Sequence, residues 1–403
     1  MASPPFTLLG YYDTSCSALE AILGAGCGVL SRHVLASLTQ AEALPLRAAS
    51  RACREAVAEH AWGELVQVGQ NEAPSCIKGS LASWRRCFPH AVAANVIGRT
   101  FPEADLVHLR GMRTLHMTYY TPATDGCLAH LHGIHTLYMD ACTQMTDADL
   151  SHLQGIHTLH MSGRCALITD AGLAHLRGIH TLYMSDCKIT DAGLACLRGI
   201  HTLRMFNCAL ITDAGLEHLR GIHTLWMCGS TLVTDAGYAH LSGIHSLNVA
   251  MLNITDAGLA HLKGTQMLNA NCCSKITEAG IAHLKGIKDL SIMCTFDITD
   301  AGLEYLRGIH KLRIGGGGFY ITDAGLAHLR GIHTLILRSD SITDAGLAHL
   351  SGIHTLQMTC CALITDAGLA HLDGVRVLDA IGSPLLTYAG LERLRARGVT
   401  VRT

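Results

Sequence analysis

Histidine, cysteine and aspartate are the side chains whose abundance in this sequence invites chemistry, and all three recur at fixed intervals. There are 26 histidines in 403 residues. Eleven, from His108 and His130 to His371, share one slot, and nine, among them His135, His157, His180, His201, His223 and His354, share another. A zinc site needs three or four ligands converging on one point. Here His175 and His180 straddle Gly178, and equivalent histidines lie one repeat apart, so they form ladders in place of clusters. No metal or cofactor is implied. Asp follows Thr in most of the same units, as in Thr190-Asp191 and Thr212-Asp213. That pairing is what helix caps require and does not set two carboxylates against each other for acid–base work. The run Gly315-Gly316-Gly317-Gly318 lacks the Lys-Ser/Thr ending of a phosphate loop. Seventeen cysteines, an odd number, mostly track the repeat, so thiols are expected in place of disulfides, and with them a reducing compartment. No catalytic constellation emerges, and the chain reads as a non-enzyme.

What positions these residues is a phrase of about 22 residues that returns fourteen times between Pro102 and Thr403. It is clearest as Ile-Thr-Asp-Ala-Gly-Leu-Ala-His-Leu-Arg-Gly-Ile-His-Thr-Leu. The opening Thr falls at Thr124, Thr146, Thr169, Thr190 and onward to Thr387 with spacings of 21 to 23, and Pro102 holds the same slot at the start. Such a unit cannot bury its apolar face alone, so neighbours must stack into one continuous core and leave an extended open surface. Within a unit, Leu182 and Met184 alternate with Thr181, Tyr183 and Ser185, the period of a strand with one buried face. Thr190 to Gly199 has a capping residue in front and a Gly behind its last Leu, which predicts a short helix. Strands stacking at about 4.8 Å per coil give a curved parallel sheet on the order of 60 Å long.

The frame Ile179-x-x-Leu182-x-Met184-x-x-Cys187-x-Ile189-Thr190-Asp191 resembles the leucine-rich repeat, and its closing Cys-x-Ile-Thr-Asp is similar to the cysteine-containing subclass common in F-box proteins. The resemblance covers about three quarters of the chain. It implies an α/β fold: a right-handed leucine-rich-repeat solenoid, a curved parallel sheet with short helices on the convex side. The unit is shorter than the usual cysteine-containing repeat. Cys142, Cys187, Cys208, Cys273 and Cys361 fill the turn slot, Cys165 sits one place late, and residues such as Leu252 and Asp340 replace it elsewhere.

Residues 1–100 differ in texture. The segment from Cys16 to Leu30 is apolar but broken by Glu20, and reads as a buried helix; Leu30, Val34, Leu35 and Leu38 share one helical face. Leu44-Pro45-Leu46-Arg47-Ala48-Ala49-Ser50-Arg51-Ala52-Cys53-Arg54 follows as a second helical block, with Pro45 suited to a first turn. This block resembles a degenerate F-box, a three-helix module that docks onto a Skp-type adaptor of cullin ubiquitin ligases. The resemblance implies adaptor contacts from Leu30, Val34, Leu35, Leu38, Leu44 and Leu46, with Trp62 near the module's end. The family's Leu-Pro opening is missing before Leu30. The competing reading is a plain helical cap, which also needs one apolar face for the first coil. The expected organisation is an F-box-like module over 1–70, a linker and worn capping repeat over 71–101 that includes Phe88, Ala94, Val96 and Phe101, and the solenoid over 102–403.

The net charge of −2 gives no electrostatic footprint for nucleic acid. No stretch of about 18 apolar residues marks a membrane span, and no secretory signal opens the chain, so an intracellular, cytoplasmic protein is expected. The outward strand position is what varies from coil to coil: His116, Tyr138, His160, Tyr183, Arg204, Trp226, Asn248, Asn269, Ser291, Arg313, Ile336, Gln357 and Asp379. The first six are aromatic, imidazole or Arg, residue types that dominate interface hot spots. Tyr138, His160, Tyr183, Arg204, Phe206 and Trp226 are therefore the candidate protein-binding residues of the concave face, with Lys311, Arg313 and Arg338 as a second, basic patch. The competing reading is free drift of exposed strand positions after duplication, with aromatic residues favoured simply because they suit strands. The function that follows is protein recognition, as the substrate-selecting subunit of a cullin-type ubiquitin ligase, or as an interaction scaffold with no ligase link.

Overall fold

The computed structural model describes residues 35–49, 51–63, 67–69, 76–78, 80–97, 103–118, 127–139, 143–229, 232–293, 298–315, 321–359 and 361–402. Residues 1–34, with Leu30 and Val34, and Ser50, Phe101, Pro102, Thr124, Cys142, Gly316–Gly318 and Cys360 lie outside the described residues. The chain divides into two compact units, Met1–Leu167 and Ile168–Thr403.

In the first unit, helices α1 (Gln40–Ala49) and α2 (Arg51–Glu59) bury Ala43, Leu46, Cys53 and Val57. A third helix, α3 (Leu81–Cys87), is capped by Ser80, whose hydroxyl accepts from the Ser83 amide. Trp84 Nε1 of α3 donates to Gln40 Oε1 at 2.8 Å, and Arg47 reaches the Cys87 carbonyl. The helical block is thereby fastened to the first coil. The unit also holds six parallel strands among the described residues, two before α3 and four after it: β1 (Gln67–Gly69), β2 (Cys76–Lys78), β3 (Ala93–Ile97), β4 (Thr114–Thr118), β5 (Thr136–Met139) and β6 (Thr158–Met161). β1 pairs with both β2 and β3, and β3 to β6 pair in chain order. Residues 93–97 are thus a full member of the sheet, with Phe88, Ala94 and Val96 buried beneath it.

The second unit repeats one coil. Its strands are β7 (Thr181–Ser185), β8 (Thr202–Phe206), β9 (Thr224–Cys228), β10 (Ser246–Asn248), β11 (Met267–Asn269), β12 (Asp289–Met293), β13 (Lys311–Gly315), β14 (Thr334–Arg338), β15 (Thr355–Thr359), β16 (Val377–Asp379) and β17 (Thr400–Arg402). All pair in parallel and in chain order, with Leu182, Leu203, Leu225 and their equivalents in register. One strand carries the physics: Leu182 and Met184 are buried while Thr181, Tyr183 and Ser185 between them are not. Cys187 and Ile189 close the turn, Leu194 of the helix Asp191–Cys196 and Leu197 at its C-cap face inward, and each buried aliphatic contributes roughly 1.5–3 kcal/mol. Gly199 then turns the chain at φ +82, a left-handed conformation that glycine adopts without steric cost.

The Thr-Asp pair divides its labour in a way the cap reading alone does not contain. Thr190 caps its helix, its hydroxyl accepting from the Ala192 amide. Asp191 reaches the next coil instead, accepting from Thr212 N at 2.9 Å and from Thr212 Oγ1 at 2.6 Å. The bond recurs from Asp170 to Thr190, from Asp235 to Thr255, and on to Asp366 and Thr387. It also explains the glycine in the middle of most of these helices. A Cβ on Gly215 would fall on Asp191 Oδ1 and come within 3.1 Å of Leu194 Cδ1. The carboxylate needs the space that the missing side chain leaves.

One turn-slot expectation changes. Asp340 is exposed, and Ser339 takes the inward place, 1% exposed, with its hydroxyl donating to the Ile321 carbonyl at 3.0 Å. A carboxylate there would be desolvated without a partner, so the turn shifts by one residue to bury the smaller neutral group. Cys165 is fully buried despite its late position.

Candidate functional site

Both histidine ladders form. In the first unit His135 and His157 stack at 4.5 Å; in the second, His180, His201, His223 and His245 stack successively at 4.5–4.6 Å, as do His310, His333 and His354 at 4.6 Å. Where a Thr follows, the ring anchors to it through Nδ1, as His223 does to Thr224 Oγ1 at 3.1 Å. Partial desolvation in the stack, then the neighbouring charges of His245 and His201, push the His223 pKa below its ordinary value. His333 is lowered in the same way between His310 and His354. Several helix-slot histidines accept instead from an Arg one coil earlier: Arg198 to His218 at 3.0 Å, Arg220 to His240 at 3.1 Å and Arg330 to His349 at 3.2 Å. Among the described residues no three His, Cys, Asp or Glu side chains gather to hold a metal ion.

The outward strand positions form in-register rows. In the first unit, His116, Tyr138 and His160 are direct neighbours, with ring centroids 4.0 Å and 4.4 Å apart. In the second, Tyr183, Arg204 and Trp226 align on β7, β8 and β9. The Arg204 guanidinium carbon lies 3.5 Å from the Trp226 ring centroid and 4.7 Å from that of Tyr183, so the cation is sandwiched between two aromatic faces. Its Nε is buried with no hydrogen-bond partner. The ring faces hold it, at about 0.5–2 kcal/mol per contact depending on desolvation. Phe206, also on β8, pairs in register with Ser185 and Cys228 and is half-buried.

The basic patch is partly neutralised. Asp289 lies 3.5 Å from Lys311 Nζ and 3.9 Å from Arg313 Nη1, while Arg338 is exposed at the end of β14. Arg313 belongs to the outward row and Arg338 lies two residues beyond it. Between Trp226 and Arg313 the row passes through Asn248, Asn269 and Ser291, which line a cleft of about 170 Å³. Sequence reasoning passed over these three because small polar residues on a strand read as drift. Cys228 points outward but is half-buried, its thiol 3.7 Å from Asn248 Oδ1 and its pKa raised by burial, which disfavours the reactive thiolate.

In the helical block, Leu35 and Leu46 are buried, 2% and 6% exposed, whereas Leu38 and Leu44 are half-buried. Leu35 and Leu46 are therefore core residues of the block, and of the residues expected to contact an adaptor only Leu38 and Leu44 are partly open to solvent among the described residues. Trp62 is also interior, donating from Nε1 to the Val57 carbonyl at 3.0 Å and packing edge-on to Phe88.

Residues 177–197, one coil of the second unit, match the family described as Leucine Rich repeat. The fold is a leucine-rich-repeat solenoid. No curated protein matches the chain. Among solved structures it is similar to Rad7 in its complex with Elc1 from yeast, at 16% identity over 73% of this chain and 82% of that one, with a TM-score of 0.52. It is similar to a chain of the glycosylated Toll–Spatzle complex of Drosophila at 12% identity, covering 79% of this chain and 47% of that one, with a TM-score of 0.54. An internalin of Listeria monocytogenes aligns at 16% identity over 89% of this chain and 96% of its own, with a TM-score of 0.49. Among the described residues no helix of the leucine-rich-repeat solenoid is long and apolar enough to cross a membrane.

Proposed function

We propose that this is a non-enzymatic recognition protein. Its strand face holds a protein target, and its N-terminal helices dock a Skp-type adaptor, presenting that target to a cullin-type ubiquitin ligase. The observation that carries the first half is the Tyr183–Arg204–Trp226 sandwich, a desolvated aromatic and cationic anchor of the kind that concentrates binding energy. The row His116, Tyr138 and His160 extends the same chemistry in the first unit. The second half rests on the F-box-like stretch from Leu44 to Arg54, on half-buried Leu38 and Leu44, and on the likeness to a fold seen bound to Elc1.

The full-length protein should retain a purified Skp-type adaptor on a column, and Leu38→Asp with Leu44→Asp should abolish retention while the circular dichroism spectrum stays unchanged. A well-folded wild-type protein that retains no adaptor would sink the ligase half. Truncating a central anchor costs about 2 kcal/mol or more, roughly thirtyfold in affinity. Trp226→Ala and Arg204→Ala should therefore weaken target binding, with Gln357→Ala nearly silent.

A second reading keeps the target surface and treats the helices as a cap alone. It draws on the Trp84–Gln40 and Arg47–Cys87 bonds, which tie the helical block to the first coil. Adaptor retention separates the two.

A further inference from the structure

The cleft on the strand face of the second unit is lined by Trp226, Asn248, Asn269, Asp289, Ser291 and Arg313, among others, and its volume of about 170 Å³ suits one side chain and little more. Register places Asn248 between Trp226 and Asn269 and carries the row through Ser291 to Arg313. Hydrogen bonds fix which way the two amides face. Asn248 Oδ1 accepts from the Ala250 amide at 3.1 Å, and Asn269 Oδ1 accepts from the Asn271 amide at 3.1 Å. A backbone N–H can only donate, so the atoms turned toward it are the oxygens and the NH2 ends are left over. Neither of those nitrogens donates to a described residue, although Asn248 is only 9% exposed.

Apart from the Ser246 hydroxyl, which can also donate, the side-chain acceptors of the cleft are engaged. Besides the two amide oxygens, the Asp289 carboxylate is engaged by Lys311 at 3.5 Å and by Arg313 at 3.9 Å. The Ser291 hydroxyl donates to Asn271 Oδ1 at 2.9 Å. What remains is donors: two side-chain amides on adjacent strands about 4.8 Å apart, the Trp226 indole N–H and the Arg313 guanidinium. The formal charge of Arg204, Lys311 and Arg313 outweighs that of Asp289. Covering these donors with an occupant that offers no acceptor would be costly, so the occupant must bring acceptors and negative charge.

We infer that this cleft takes a carboxylate, supplied by a glutamate or aspartate side chain in an extended acidic segment of the protein target. The inference rests on the strand face being the target-binding surface, and it adds the chemistry of the segment that lies there. A basic segment would meet Arg204, Lys311 and Arg313 and leave both amides unmatched.

The test titrates the full-length protein, labelled with 15N at asparagine, with acetyl-Ala-Ala-Glu-Ala-Ala-amide and with the same peptide carrying Gln in place of Glu. Blocked ends leave one carboxylate in the first peptide and none in the second. The Glu peptide should shift the side-chain NH2 signals of Asn248 and Asn269 and bind about tenfold or more tightly than the Gln peptide, the usual worth of a charged acceptor. Asn269→Asp, which sets a carboxylate where a donor stood, should erase that preference with the circular dichroism spectrum intact, and Arg313→Gln should reduce it. Equal binding of the two peptides, or no shift at millimolar concentration, overturns the inference. Sodium acetate matching the Glu peptide in affinity overturns the assignment to a polypeptide segment. Loss of target binding in Trp226→Ala alongside indifferent peptides would overturn this inference alone, whereas a silent Trp226→Ala would remove the strand-face reading beneath it.

Discussion

Removing one carboxylate should change the sign of a glycine substitution one coil away. Asp191 accepts two hydrogen bonds from Thr212, at 2.9 Å and 2.6 Å, and presses against the space that Gly215 leaves empty. Hydrogen bonds to a charged group contribute about 1.5–3 kcal/mol each. Thr212 is half-exposed, so water recovers part of the loss, and Asp191→Ala should cost about 2–4 kcal/mol. Gly215→Ala in the wild-type background overpacks the contact and should cost about 1–3 kcal/mol. In the Asp191→Ala background the main obstruction is gone, and only the Leu194 methyl at 3.1 Å remains. There the same Gly215→Ala should become neutral or stabilise by up to about 1 kcal/mol, the ordinary benefit of Ala over Gly within a helix. Urea midpoints of the four proteins, with hydrogen exchange at the Thr212 amide, measure the cycle. Gly221→Ala is the control: at φ +81 with no atom within 4 Å it is strained by its backbone alone and should cost the same in both backgrounds. If Gly215→Ala destabilises equally with and without Asp191, the carboxylate is not what keeps the position glycine.

Thr265 occupies a slot that is Ile244 in the coil before and Ile287 in the coil after; it is 2% exposed, and its hydroxyl has no hydrogen-bond partner. Thr265→Val should raise stability by about 1 kcal/mol in a urea melt, since an unsatisfied buried hydroxyl is replaced by a methyl of the same shape. Exposed Cys272 should react quickly with iodoacetamide and its neighbour Cys273 only on unfolding, because burial pushes the Cys273 thiol up to about 11; mass-resolved alkylation reads both. The depressed pKa of His223 and His333 means that the folded state resists their protonation. Their contribution is present above the unfolded value of about 6.5 and is lost as pH falls through the folded values, so stability should decline on acidification below that point. His245→Gln, removing one repelling neighbour, should raise the His223 titration midpoint in an NMR pH series and soften the decline.

The strand, the helix and the apolar slots were legible because each is a property of one coil: alternation at Leu182 and Met184, a cap at Thr190, a terminal Gly199. What was not legible depends on the next coil. Nothing within Thr190-Asp191-Ala192-Gly193 reveals that Asp191 bonds to Thr212, or that Gly193 makes room for Asp170. Likewise a fixed frame placed Asp340 in the turn, but desolvation cost moves the chain so that Ser339 is buried. In the helical block a periodic apolar face signals burial whichever surface does the burying, and Leu35 and Leu46 turn out to face the interior of their own block. On the strand face, the aromatic and cationic row was readable from residue type. The donor-only character of Asn248 and Asn269 was not, since it follows from which backbone amide consumes each oxygen.

The central claim is that the outward strand positions are the surface this protein presents to its target. A photo-crosslinking amino acid placed at Ser185 or Met267, on the strand face, or at exposed Lys263 or Arg307, on the helix side, can be activated in the cells from which the protein comes. The account predicts a discrete protein adduct from Ser185 and Met267 that disappears when Trp226→Ala is added, and none from Lys263 or Arg307. An adduct formed from the helix-side positions and indifferent to Trp226 would contradict it.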